Sequence, residues 1–235
     1  MTTILVEDFT TNYSRLLASE RDDNIVLDPG ALTGFSDGAW LLGGNDVIRG
    51  TYDNELIYGN SGNDDLFLAD GNDTIYGGRG QDNIDGGGGD DQLFGDSDQD
   101  IIKGFFGNDY LYGGKGGDTL IGDDGDDFLS GDRDEDSLIG GAGNDTFAVD
   151  YNPEITTDSF DIFFDVRDTS ESDKILLPAG VILDPSSFKP SQDINNDNLP
   201  DFVLKLQSNQ QVLAVVINNN SILGSYLGEV NFITS

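Results

Sequence analysis

The chain is 235 residues long, with 45 acidic and 11 basic residues and a formal net charge of −34. It contains no cysteine and no histidine, which excludes disulfides, thiolate or imidazole metal ligands, and any nucleophile activated by a histidine base. So negative a chain repels phosphate, so nucleic acid and anionic lipid are poor partners and cations are good ones.

The length suits one large domain or two small ones, and 36% hydrophobic with 10% aromatic residues supply a core if they are placed regularly. Residues 1–43 read as an N-terminal cap. Its start, Met1 to Asp8, has neither a basic nor an apolar leader region, so no signal peptide is expected there. No apolar run approaches 18 residues, so no membrane-spanning helix is expected. The fair helix candidate is short, Ser14 to Glu20. Gly34-Phe35-Ser36-Asp37-Gly38 matches the pattern of a nucleophile elbow, but no histidine exists to activate Ser36. Nothing besides abundant carboxylates points to an enzyme.

From Gly44 to Tyr151 the chain cuts into twelve nonapeptides without an insertion. The third position reads Asp46, Glu55, Asp64, Asp73, Asp82, Asp91, Asp100, Asp109, Asp118, Asp127, Asp136 and Asp145. The fifth is always large and apolar, from Ile48 through Phe147. Glycine fills the first position in nine units and the seventh in ten, and no proline falls inside. Faint echoes in the same phase lie at Asp28 and Asp37.

One apolar residue in nine cannot line a helix face. Each unit is instead expected to form a turn and a three-residue strand, with two units per winding. Residues 18 apart then stack at about 4.8 Å in parallel strands, and the apolar residues fill the space between two sheets. The expected fold is all-β: a parallel β-roll, or β-solenoid, of twelve repeats. Residues 44–151 carry 26 acids against five basic residues, so stacking brings like charges together, in ten pairs such as Asp46 above Asp64. Carboxylates plus turn carbonyls are hard oxygen donors in a flexible cage, which suits Ca²⁺ better than Mg²⁺. About ten such ions would nearly cancel the array's charge. Units two, three and seven depart from the pattern through Glu55, Asp53, Leu68, Asp98 and Phe105-Phe106, and weaker sites are expected there.

The sixth position places Tyr58, Tyr76, Phe94 and Tyr112 in an outward aromatic ladder. It is expected either to pack under the C-terminal segment or to offer a platform for stacking sugars.

Residues 152–235 are glycine-poor, and their strand-like runs read as a β-rich C-terminal segment. Phe202 to Leu206 and Val212 to Ile217 read as a hairpin. Between prolines 190 and 200, Asp193, Asn195, Asp197 and Asp201, with the Leu199 carbonyl, have the spacing of a calcium loop that leads into a strand. One further Ca²⁺ is expected there; a polar turn without metal is the competing reading.

The runs Gly77-Gly78-Arg79-Gly80-Gln81-Asp82-Asn83-Ile84, Gly113-Gly114-Lys115-Gly116-Gly117-Asp118-Thr119-Leu120 and Gly140-Gly141-Ala142-Gly143-Asn144-Asp145-Thr146-Phe147 resemble the hemolysin-type, or RTX, calcium-binding repeat. That resemblance implies a β-roll with Ca²⁺ between adjacent turns. It also implies export by a type I secretion exporter that reads a C-terminal signal, and hence an extracellular location. The cap is too short for the toxin, protease or lipase domain that such arrays often accompany. The expected function is a secreted, non-catalytic calcium-binding protein. The alternative is a module that binds extracellular polysaccharide or a cell surface.

Overall fold

The computed structural model describes residues 15–33, 35–148, 161–165, 173–177, 202–205, 212–218 and 231–234. The repeats wind into about six coils between two ten-stranded sheets. One sheet takes, in order, the strands that begin at Leu16, Ala39, Leu56, Thr74, Gln92, Tyr110, Phe128, Thr146, Lys174 and Asn231. The other takes those beginning at Asn24, Val47, Asp65, Asn83, Ile101, Thr119, Ser137 and Asp161, then Val212 and Phe202. Among the described residues all strand pairings are parallel except that of Phe202–Lys205 with Val212–Asn218, which is antiparallel.

The register is that of an 18-residue winding: Ile75 pairs with Leu93, Leu93 with Leu111, and Leu111 with Leu129. All twelve fifth-position residues are buried, Ile48 through Leu138 completely. They form a single column with Leu41, Ala39 and Ile25 at one end and Ile175 and Leu177 at the other.

Three local expectations change. Strands are mostly six residues long, not three, as in Gln92–Ser97 and Tyr110–Lys115. Alternation therefore turns the seventh position inward as well as the fifth, and glycine at the seventh leaves that inward space empty. The stretch read as a short helix carries the strand Leu16–Leu17 instead. An isolated short helix is marginal, whereas here Leu16 N–H donates to the Gly38 carbonyl and Ala18 N–H to that of Trp40. Asp37 keeps the repeat phase, because Ala39 pairs with Ile57. Asp28 does not: the earlier strand is Asn24–Val26, with Ile25 opposite Ile48, so the phase slips by five residues across the Pro29 turn.

The first-position glycines hold the windings close. Gly107 sits at φ 126°, and a Cβ there would run into the carbonyl of Gly89 in the winding below. Gly88, beside it, has ordinary φ and would meet only Asp70 Oδ1 at 3.2 Å. Gly107→Ala should therefore lower stability by at least the roughly 1–2 kcal/mol of a left-handed non-glycine residue, while Gly88→Ala should stay within about 0.5 kcal/mol of the parent. Thermal unfolding in matched buffer checks the pair. Equal melting temperatures for the two variants would mean that the windings do not touch there.

Candidate metal centre

The twelve array acids lie at the turn edges, and every one is buried. The strand that follows each acid holds it in place, because the neighbouring apolar residue is locked in the core. Along each edge the acids form a directional ladder. The Oδ1 of Asp109 accepts from the Asp91 N–H at 2.8 Å, that of Asp127 from the Asp109 N–H at 2.8 Å, and that of Asp145 from the Asp127 N–H at 3.0 Å. The other edge repeats this from Asp46 through Asp64, Asp82, Asp100 and Asp118 to Asp136.

That leaves one oxygen per acid. Asp46, Asp64, Asp73, Asp82, Asp91, Asp100, Asp109, Asp118, Asp127, Asp136 and Asp145 each bury an Oδ2 without a hydrogen-bond partner, as Glu55 does its Oε2. A buried carboxylate oxygen without a donor is costly unless it meets a cation or the group takes up a proton.

The glycine five residues before the acid makes room for it. A Cβ on Gly77 would sit 2.5 Å from Asp82 Oδ2 and 3.0 Å from the Gly95 carbonyl oxygen of the next winding. The same two donors, a carboxylate oxygen and a carbonyl from the following winding, converge at Gly59, Gly95, Gly104, Gly113 and Gly122. Gly86, Gly131 and Gly140 likewise face the carboxylates of Asp91, Asp136 and Asp145. Nine acids thus have a glycine cradle: Asp64, Asp82, Asp91, Asp100, Asp109, Asp118, Asp127, Asp136 and Asp145. Among the described residues no three acidic side chains cluster at one point, so a cation here would draw on carbonyls as much as on carboxylates. An all-oxygen set without histidine or thiolate fits Ca²⁺.

The other three acids are built differently. Asp46 has Leu41, and Asp73 has Leu68, where the cradle glycine would be; both leucines are buried. Glu55 keeps Gly50 but is bonded within its own turn by Thr51. Unit seven, by contrast, is regular. Phe105 adopts φ 77°, the left-handed conformation that glycine takes at the equivalent Gly87 and Gly114, and Gly104 still faces Asp109.

Two more acids join the ladders. Asp46 Oδ1 accepts from the Asp23 N–H, and Asp173 Oδ1 from the Asp145 N–H, at 2.7 and 2.8 Å. Both precede an apolar residue by two, in Asp23-Asn24-Ile25 and Asp173-Lys174-Ile175, but neither has the flanking glycines that make the repeat visible. The positions Asp193, Asn195, Asp197, Leu199 and Asp201 lie outside the described residues.

Burial pushes these carboxyls up from their ordinary value near 3.8. Hydrogen bonds from backbone amides oppose the shift, and in most of them neighbouring carboxylates add to it. Asp64, Asp109 and Asp118 rise to about 6. Asp46, Asp82, Asp91 and Asp127 rise to about 7, and Asp73 and Asp100 to about 8. Without a cation, the folded roll therefore holds protons that the unfolded chain gives up near pH 4. Its stability is fully present below that pH and is lost as pH rises through about 6 to 8. With the divalent ion chelated, strand signal in circular dichroism should be stronger at pH 5 than at pH 8. With Ca²⁺ present, the concentration needed for folding should fall as pH rises, because protons compete for the same oxygens. A chelated protein that gains strand between pH 5 and pH 8 would contradict this.

The array also matches a known family. The model of the RTX calcium-binding nonapeptide repeat (4 copies) matches residues 42–75, 67–102, 85–120, 103–138 and 112–147. No match is found among the curated proteins. With their glycine cradles, buried carboxylate ladders and parallel two-sheet winding, residues 42–147 are an array of RTX calcium-binding repeats.

Proposed function

We propose that this protein is a secreted, non-catalytic calcium-binding protein whose roll forms when the exported chain meets Ca²⁺ outside the cell. The observation that carries the reading is the row of buried carboxylate oxygens without a hydrogen-bond donor. Among the described residues no basic side chain bonds to these oxygens, and the array's 26 acids against five basic residues oppose compaction. At low cytosolic Ca²⁺ that repulsion favours the extended chain, the form an exporter can thread. Extracellular calcium modules bind with Kd of about 10⁻⁴–10⁻³ M. At a tenfold excess of ion each site adds about 1.4 kcal/mol. Nine cradles together are then comparable with the 5–15 kcal/mol of a typical domain.

The glycan-platform alternative has weaker geometric support. Tyr58, Tyr76, Phe94 and Tyr112 do form the ladder, with ring centroids 4.7–5.0 Å apart and planes within 8°. Their faces therefore cover one another, and a sugar that stacks needs a free face. What the interior rings offer outward is edges and phenolic hydroxyls.

Circular dichroism of the full chain at neutral pH checks the main reading. In chelator it should show mostly coil, and strand should appear cooperatively as Ca²⁺ is added, with Mg²⁺ a poor substitute. A spectrum unchanged by chelation would reject it.

A further inference from the structure

Ten of the twelve array acids follow the same backbone rule. The residue four places before the acid is left-handed, from Leu42 (φ 73°) before Asp46 to Gly141 (φ 116°) before Asp145. Thr51, before Glu55, and Ala69, before Asp73, are not among these left-handed residues. The strands that lead into these two turns, Val47–Arg49 and Asp65–Phe67, stop after three residues where their neighbours run for six.

The chemistry of the Glu55 turn differs to match. Thr51 Oγ1 donates to Glu55 Oε1 at 2.5 Å, and Thr51 N–H donates to the same oxygen at 3.1 Å. Thr51 Oγ1 also accepts from the Asp53 N–H at 3.1 Å, and Asp53 in turn accepts from the Gly30 N–H. The remaining oxygen, Oε2, faces Gly50. There the atom that would crowd a Cβ most closely is Leu68 Cδ2 at 2.6 Å, not a carbonyl oxygen. Hydrocarbon thus stands where the regular cradles place the second oxygen donor. The same Leu68 takes the cradle position of Asp73.

The start of the other ladder repeats the device. Ser19 N–H and Ser19 Oγ donate to Asp23 Oδ2 at 2.8 and 2.7 Å. Ser19 stands four residues before its acid, as Thr51 stands four before Glu55.

We propose that Glu55 and Asp73 bind no metal: Leu68 puts hydrocarbon where their cradles would offer the second oxygen donor, and Thr51 at Glu55, like Ser19 at Asp23, supplies the donor that a regular acid takes from the coil before it, with Glu55 Oε2 and Asp73 Oδ2 left without a donor. This rests on the calcium reading of the regular cradles. On the edge that carries Glu55 and Asp73 the calcium sites then begin with Asp91, whereas on the other they begin with Asp64.

Calcium stoichiometry of the full chain, measured by equilibrium dialysis with atomic absorption, tests it. Asp109→Asn, in a regular cradle, should bind at least one ion fewer than the parent. Glu55→Gln and Thr51→Val should bind the parent number. Leu68→Gly, which opens a cradle, should bind one more. In saturating Ca²⁺, Thr51→Val should lower the midpoint of urea unfolding and Thr51→Ser should restore it; equal midpoints would remove the hydroxyl from the argument. If Glu55→Gln loses an ion as Asp109→Asn does, the first windings are metal sites and the proposal falls. If Glu55→Gln fails to fold, loss of an ion by folded Thr51→Val overturns the proposal in the same way. If Asp109→Asn keeps the full number, the cradle reading fails first and takes this proposal with it.

Discussion

The architecture depends on carboxylates that are buried but only half satisfied. Each array acid that accepts an amide from the winding before it does so with one oxygen, which fixes the register between coils. Its other oxygen is held in a space where no protein donor reaches. A hydrophobic core would normally force such a group to pair or to take up a proton. Here the core is a single column of mostly aliphatic residues, and it lies directly beside the acids because acid and core residue are two apart in sequence. The residue that forms the column therefore delivers the charge to its edge.

A second ladder braces the same interface in the opposite sense. The Asn108 N–H donates to Asp90 Oδ1, the Asp126 N–H to Asn108 Oδ1, and the Asn144 N–H to Asp126 Oδ1. Here the later winding donates to the earlier, whereas in the buried ladder the earlier donates to the later. The second ladder is exposed, so water competes for its bonds. Its value is direction: each winding offers both a donor and an acceptor to its neighbour, so coils can stack in only one register. On the opposite edge the pattern runs from Asn45 through Asn63 to Gln81. Beyond it stand Gln99, Gly117 and Glu135, and Gly117 has no side chain to accept with.

Periodicity made much of this legible in the sequence. The phase of Asp and of the apolar residue predicts the 18-residue register, and every fifth-position side chain lies in the core. Legibility stops where the signal is not periodic. Asp23 and Asp173 carry the same acid-x-apolar fragment as the repeats, but their spacing breaks across Pro29 and across the stretch after Ala148. Phe105-Phe106 looks disruptive on paper. Yet the left-handed angle needed at Phe105 is tolerated because the windings on both sides impose it. Leu68 looks like one more aliphatic side chain. Only the winding shows that it occupies the space a cradle would need. The stacked ring faces of the aromatic ladder are equally invisible to a pattern that reports only which side of the strand a residue is on.

The direction of the ladders also explains why their first members need special treatment. In a regular winding the acid's first oxygen takes an amide from the coil before it, and the backbone of the coil after it helps build the cradle. An acid at the start of a ladder has no regular coil before it to supply that amide. A donor from within its own turn is the remaining source, and four residues back is a distance from which a short side chain can reach. Serine and threonine are the short residues whose hydroxyl and amide can both point at one oxygen, as in the Asx- and ST-type turns of other proteins. Ser19 and Thr51 meet this requirement independently, on opposite edges and for acids of different length. Geometry imposed by the end of a stack, not repeat decay alone, then accounts for a hydroxyl at each of these two turns.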